Sequence, residues 1–88
     1  SDRTVLHILK LADRFEMKVV MNQAEKFLIR STGIKNKLSI ADQYRLTALR
    51  GHCLLSYTTP QDLLKLKSEV KHFSDETKLA ICDRLYKM

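Results

Sequence analysis

The sequence predicts an all-α fold of about six short helices, arranged as stacked antiparallel hairpins. Apolar residues recur at helical spacing in six segments, and no segment alternates with the two-residue period of a strand over a useful length. The stretch 11–28 is also repeated in outline at 40–57. Each copy has the pattern of a helix end, a tight turn and a second helix, so two such hairpins can share a core that neither could form alone.

The repeat predicts matched core positions in its two copies. It aligns Ala12 with Ala41 and Phe15 with Tyr44. The predicted core residues are Leu11, Ala12, Phe15, Val20, Ala24, Phe27, Ala41, Tyr44, Leu49, Cys53 and Tyr57. Asp13 and Asp42 recur as well, and we interpret both as caps for the free amides of the next helix rather than as a catalytic pair.

Length, composition and charge are those of one ordinary globular domain, covering residues 1–88. Hydrophobic residues make up 44% and charged residues 30% of the chain, which argues against disorder. No apolar run approaches the roughly 20 residues of a membrane span.

The net charge of +6 is divided equally between the two halves of the chain, so it marks no nucleic-acid-binding segment. The amino terminus lacks a signal-peptide pattern and Met, which predicts a piece of a longer protein.

The first helical pair occupies residues 1–30. Its first helix should begin after Ser1 or Asp2, either of which could cap it, and end near Phe15. The apolar stripe of this helix is so wide that we expect neighbours on both sides. The second helix should run over 18–30. Three apolar residues fall near the edge of its polar face and are candidates for binding a partner: Val19, Met21 and Ile29.

The second helical pair occupies residues 38–57. Ser39 and Asp42 have the spacing of a capping box, which predicts a short helix over about 38–44. The next helix should run over about 47–57.

Both glycines predict a backbone feature. Gly33 lies in the loop over 31–37, where it could adopt a left-handed cap after the second helix. Gly51 lies within the fourth helix and costs about 1 kcal/mol of helix propensity relative to Ala, which indicates a close backbone contact.

The third helical pair occupies residues 59–88. Thr59 should cap a helix that begins at Pro60, with Asp62 completing a capping box. Ser74 should start the last helix. The outward-facing lysines of this pair are further candidates for binding a partner: Lys65, Lys67 and Lys71.

The chain offers no pattern of catalytic or metal-binding residues. His52 and Cys53 are adjacent, but structural zinc needs four ligands that are commonly supplied as close pairs. Cys53 also matches Ala24 in the repeat, which predicts a packed thiol rather than a nucleophile. Phosphate-binding glycine loops, GxSxG and HExxH are all missing. We therefore predict no enzyme, no metal and no cofactor.

The two cysteines predict the cellular compartment of the protein. Cys53 and Cys82 lie within apolar helical patterns, which predicts two buried thiols rather than a disulfide. Free thiols are typical of the reducing cytoplasm and nucleus, and we expect the protein to reside in one or both of these compartments.

Basic side chains on two helix faces raise a nucleic-acid hypothesis. The first face carries Arg3, His7, Lys10 and Arg14, and the second carries Lys65, Lys67, Lys71 and His72. Neither the second nor the fourth helix has the compact set of polar residues that a recognition helix needs to read base edges. Solvated helix faces are therefore the preferred interpretation.

At the repeated stretches the sequence resembles a known family. Residues 8–29, ILKLADRFEMKVVMNQAEKFLI, are similar to the last helical pair of a BTB (POZ) domain. Residues 38–57, LSIADQYRLTALRGHCLLSY, are similar to the first pair of the BACK-like, or 3-box, extension that follows it. The shared motif is [LI]-A-D-x-[FY]-x-[ML]. The segments PQDLLKLK and SDETKLAICDRL resemble nematode BTB proteins of the kind that often carry a MATH domain.

This resemblance implies a non-catalytic adaptor, which presents a bound protein to a cullin-based ubiquitin ligase or assembles into homo-oligomers. It also implies a groove between residues 18–30 and 38–57 that, in the family, can receive the amino-terminal segment of the cullin. The preferred function is therefore a protein-interaction module whose partner is a cullin scaffold or a substrate. The alternative is a structural self-association domain, in which Val19, Met21 or Ile29 builds a homodimer or a larger oligomer. Nucleic-acid binding ranks third, and no membrane partner is expected.

Overall fold

Residues 2–88, which the computed structural model describes, form six α-helices and one 3₁₀ turn. The helices are α1 (Asp2–Arg14), α2 (Lys18–Arg30), α3 (Lys37–Tyr44), α4 (Thr47–Leu55), α5 (Pro60–Leu64) and α6 (Asp75–Tyr86), and the 3₁₀ turn is Val70–His72. These residues contain no strand, so the all-α prediction is confirmed. The cap predicted at Ser1 or at the side chain of Asp2 lies outside what the structure describes. None of the described helices has both the length and the apolar character that crossing a bilayer requires.

The two copies of the repeat turn their corners in the same way. Glu16 and Arg45 occupy matched positions, and both have a left-handed backbone, with φ of 54° and 56°. In each copy the next residue donates its N–H to a carbonyl five residues earlier: Met17 to Ala12 at 2.8 Å, and Leu46 to Ala41 at 2.9 Å. This is the Schellman motif, which ends a helix and reverses the chain within a few residues. The repeat therefore encodes a corner as well as two apolar stripes.

Helix α4 is the centre of the packing. It packs against α3, against α2 of the first pair and against α6 of the third pair. Leu28 of α2 and Leu49 of α4 are completely buried, as is Leu9 of α1. Helix α1, by contrast, packs mainly against α2. The prediction that α1 has neighbours on both sides is therefore wrong for the described residues.

Burial agrees with the predicted core at most positions. The buried members are Ala12, Ala24, Ala41, Leu49 and Cys53, and the half-buried members are Val20, Tyr44 and Tyr57. Three predictions are wrong, because Leu11, Phe15 and Phe27 are exposed by 53%, 61% and 44%. The reason is that the second hairpin packs on both sides through α4, whereas no described element covers the outer side of the first.

The third pair has the helix starts that the sequence predicts. Thr59 Oγ1 accepts a hydrogen bond from the N–H of Asp62 at 3.2 Å, and the Asp62 carboxylate accepts from the N–H of Thr59 at 3.3 Å. This reciprocal capping box begins α5. Ser74 Oγ accepts from the N–H of Thr77 at 3.4 Å and caps α6. Both predicted caps are confirmed.

Three other backbone predictions are wrong. Gly33 does not have a positive φ, and Asn36 takes the left-handed conformation in the same loop, with φ of 60°. Helix α3 begins at Lys37, directly after Asn36, so Ser39 lies inside the helix and does not cap it. Gly51 is exposed, and a Cβ placed there would meet nothing within 4 Å, so no close contact accounts for this glycine.

Candidate protein-interaction surfaces

An open cleft of about 720 Å³ separates the corner of the first hairpin from the corner of the second. Met21 and Asn22 of α2 line one side, and Tyr44 and Thr47 line the other. Met21 is half-buried and packs on the core, whereas Asn22 is exposed. The cleft lies between the two segments to which the family resemblance assigns a partner-binding groove.

Glu25 of α2 holds the two sides of this cleft together. Its Oε2 accepts a hydrogen bond from the backbone N–H of Leu49 at 2.9 Å. Leu49 lies in the first turn of α4, and the residue at the N-cap position is Leu46, whose side chain cannot accept a hydrogen bond. The carboxylate therefore satisfies a free amide at the positive end of α4 and fixes the spacing of the two hairpins.

The rim of the cleft carries both signs of charge. Asp13 and Glu16 contribute acidic groups, and Lys18 and Arg45 contribute basic groups. All four are exposed, so they are available to a bound segment. With Met21 on the floor, the cleft can take an apolar side chain between polar contacts of either sign.

A polar cluster joins α3 to α6. Asp42 Oδ1 accepts hydrogen bonds from Ser74 Oγ and Thr77 Oγ1, each at 2.6 Å, and the backbone N–H of Ser74 lies 3.1 Å from the same oxygen. Thr77 is completely buried. Burial opposes the charged carboxylate, but these hydrogen bonds outweigh it and lower the pKa of Asp42.

This cluster corrects the predicted role of the repeated aspartates. Asp42 does not cap α4, the next helix, but the N-terminus of α6. Within residues 2–88 no hydrogen bond or ion pair is made by the side chain of Asp13. The two residues match in sequence but not in their contacts, because only the second hairpin has α6 beside it.

Arg84 of α6 caps the C-terminal end of α4. Its Nε donates to the carbonyl of Leu54 at 3.1 Å, and its Nη2 donates to the carbonyl of Tyr57 at 2.9 Å. A guanidinium at a helix C-terminus satisfies free carbonyls and offsets the negative end of the dipole. Sequence reasoning missed both Glu25 and Arg84. The missing side-chain cap at Leu46 is the signal that could have prompted a search for a remote acid.

The predicted partner-binding residues do not form one patch. Val19 is 71% exposed, whereas Met21 lines the cleft and Ile29 is half-buried against the core. Val19 and Met21 are about 200° apart around α2. The exposure that the self-association hypothesis requires therefore applies only to Val19.

The predicted lysines differ in their surroundings. The Lys65 ammonium lies 3.8 Å from the Asp62 carboxylate, whereas neither Lys67 nor Lys71 forms an ion pair in the described part of the chain. All three are exposed.

The two cysteines are both free, and their environments differ. Cys53 is buried, and this burial raises the pKa of its thiol, which disfavours the reactive thiolate. Cys82 is exposed, so the prediction that both thiols are buried is wrong for Cys82. Across residues 2–88, no three His, Cys, Asp or Glu side chains are arranged to hold a metal ion.

Two curated proteins of Caenorhabditis elegans are similar to this chain. BTB and MATH domain-containing protein 38 is 38% identical over 88 residues, which cover 96% of the chain and 23% of that protein. BTB and MATH domain-containing protein 36 is 43% identical over 69 residues, which cover 76% of the chain and 22% of that protein. The chain is a homologue of these BTB and MATH domain-containing proteins. It spans less than a quarter of the length of each. No family model matches the chain, and no solved structure matches it.

The resemblance to nematode BTB proteins is therefore confirmed. In this homologue the shared motif has a structural explanation. Its alanine is buried in the last turn of a helix and accepts the hydrogen bond that closes the corner. Its last position, Met17 or Leu46, donates that hydrogen bond.

Proposed function

We propose that this chain is a non-catalytic protein-interaction module of a BTB-type adaptor that works in a cullin-based ubiquitin ligase. The names of its homologues suggest a protein-interaction adaptor family. The observation that carries the proposal is the cleft between the two hairpin corners, which is open to solvent and is fixed in width by the contact from Glu25 to Leu49.

The proposed occupant of the cleft is the amino-terminal segment of the cullin. An apolar side chain of that segment would lie on Met21, and polar groups would meet the mixed charges of the rim. Because a hydrogen bond within this chain joins the two walls, the cleft would bind without a large rearrangement, and little ordering of the chain would oppose association.

Calorimetric titration of a cullin amino-terminal domain into the 88-residue chain tests this proposal. The informative variant is Asn22→Arg, which places a long side chain at an exposed position lining the cleft. The matched control is Gln23→Arg, which makes the same kind of change one residue later on α2, outside the cleft. We expect Asn22→Arg to weaken binding about tenfold or more, equivalent to about 1.4 kcal/mol, and Gln23→Arg to leave it unchanged.

Two results would contradict the proposal. One is equal affinity for both variants, and the other is no binding of the unsubstituted chain. Circular dichroism of both variants ensures that a loss of binding is not a loss of helix.

A second candidate function, self-association, is favoured by the outer side of α1. Ile8, Leu11 and Phe15 are all exposed, and their spacing of three and four residues places them on one stripe. Leu6 and Asp13 line a second open cleft, between α1 and the end of α3, and they lie on the opposite side of the helix. Exposed apolar stripes of this kind are typical of surfaces that another protein surface covers.

Light scattering over a range of micromolar concentrations separates the two functions. Self-association predicts a mass above 10.2 kDa that rises with concentration and returns to the monomer value in Leu11→Glu. Loss of the oligomer in Val19→Glu instead would place the interface on α2. A monomer at every concentration would rule out self-association and leave the interaction with a different protein.

A further inference from the structure

A separate groove of about 580 Å³ runs between α5 and α6. Buried Leu63 and Ile81 form its floor, while Leu64 and Leu85 stand at its edges with 64% and 43% of their surface exposed. Apolar side chains make up the rest of the lining except for two lysines. None of these residues lines the cleft between the hairpin corners, so the groove is a distinct surface.

The charge beside this groove has one sign. Lys67 and Lys78 line it, and no aspartate or glutamate does. Neither lysine forms an ion pair in the region that the structure describes, whereas nearby Lys65 is paired with Asp62. Two unpaired ammonium groups beside an apolar surface would attract carboxylates, and their attraction would strengthen as a bound segment excludes water.

We propose that the groove between α5 and α6 binds an acidic amphipathic helix of a partner protein. The apolar face of that helix would lie along Leu64 and Leu85, and carboxylates at its edges would meet Lys67 and Lys78. An amphipathic helix in an apolar groove, anchored by residues spaced three and four apart, is a common mode of peptide recognition.

The charge of the groove favours an acidic helix over a second copy of the chain as its occupant. A two-fold interface uses the same patch of both subunits, so it would bring four lysines and no acidic lining residue into one contact. The chain also carries a net charge of +6. Both features favour an acidic partner over self-pairing at this groove.

The reactivity of Cys82 can be used to measure whether the groove is occupied. It lines the groove and is exposed, whereas Cys53 is buried and lies outside it. The rate of alkylation of Cys82 should therefore fall when the groove is filled, while Cys53 stays protected by the fold in every sample. Mass spectrometry of each modified peptide measures the two rates separately.

The probe is a synthetic helix of about 16 residues, with leucines on one face and glutamates beside them. The matched probe has lysine in place of each glutamate. At ten times its dissociation constant, the glutamate probe should slow alkylation of Cys82 about tenfold, since only the free fraction reacts. We expect this protection to weaken with added salt and the lysine probe to give none.

Variants of the chain complete the test. The double variant Lys67→Glu with Lys78→Glu should lose protection by the glutamate probe and gain protection by the lysine probe. The matched double variant Lys26→Glu with Lys35→Glu changes exposed lysines outside the groove and should behave as the unsubstituted chain.

Three outcomes would overturn the proposal: no protection by the glutamate probe, equal protection by both probes, or protection that survives reversal of both groove lysines. Slowed alkylation of Cys82 on raising the concentration of the chain alone would also overturn it, because a second copy would then be the occupant. The cullin titration uses a different surface, so the two proposals can fail separately.

Discussion

Replacing Asp42 with alanine should destabilise the fold by about 3 kcal/mol. The Thr77 hydroxyl is completely buried and would keep only a 3.5 Å contact with Ser74 Oγ, and a buried donor left without an acceptor costs about 1–3 kcal/mol. A negative charge at the positive end of α6 is also lost, and its attraction to the helix dipole is worth about 0.3–1 kcal/mol. The groups of Ser74 are exposed and would recover hydrogen bonds to water, so they add little.

This loss would be a large part of the stability of an 88-residue domain, which is about 4–13 kcal/mol. The melting temperature should fall by about 12–24 °C. Urea denaturation followed by circular dichroism at 222 nm measures the change in unfolding free energy, and a thermal scan measures the shift in melting temperature.

Asp13→Ala is the matched control, because Asp13 occupies the equivalent position in the first hairpin and its side chain makes no hydrogen bond among residues 2–88. It should change stability by less than about 0.5 kcal/mol. Equal effects of Asp13→Ala and Asp42→Ala would refute the reasoning, since the repeat alone would then explain both.

Further predictions concern Glu25, Arg45 and acid. Glu25→Gln should cost about 1–2 kcal/mol in urea denaturation, because it weakens a charged hydrogen bond at the start of α4; an unchanged midpoint would contradict that contact. Arg45→Gly should stabilise the fold by about 0.5–1 kcal/mol by relieving a left-handed backbone, whereas Ala48→Gly, within α4, should destabilise it by about 1 kcal/mol; loss of stability in both would refute the backbone assignment. The pKa of Asp42 is lowered from 3.8, so the charged carboxylate contributes fully to stability above pH 3.8, and this contribution is lost as the pH falls through the lowered pKa. The unfolding free energy of Asp42→Asn should therefore fall less steeply with decreasing pH than that of the unsubstituted chain. The same steepness in both proteins would contradict this prediction.

Local patterns predicted the helices well. The bounds of α2 and the capping box at Thr59 follow from residues within a few positions of each other, so the sequence contains the whole interaction. The same holds for the corners of the two hairpins, whose hydrogen bonds span five residues. Predictions of this kind succeed because no distant element has to be known.

Contacts between hairpins could not be predicted in this way. Glu25 and Leu49 are 24 residues apart, and Asp42 and Thr77 are 35 apart, so no periodicity relates them. The repeat even misled the assignment of Phe15, since it matches half-buried Tyr44 but lacks the neighbours that cover Tyr44. The cleft depends on the first of these contacts, which joins α2 to the start of α4. Sequence reasoning therefore placed the cleft between two segments without identifying Glu25, whose contact with Leu49 joins its two sides.

The measurement that tests the central claim most directly is the affinity of a cullin amino-terminal domain for this chain, compared between Asn22→Arg and Gln23→Arg. A protein-interaction module that uses the cleft predicts binding by the unsubstituted chain and by Gln23→Arg, with at least a tenfold loss in Asn22→Arg. No binding by the folded chain, or equal binding by both variants, would contradict it.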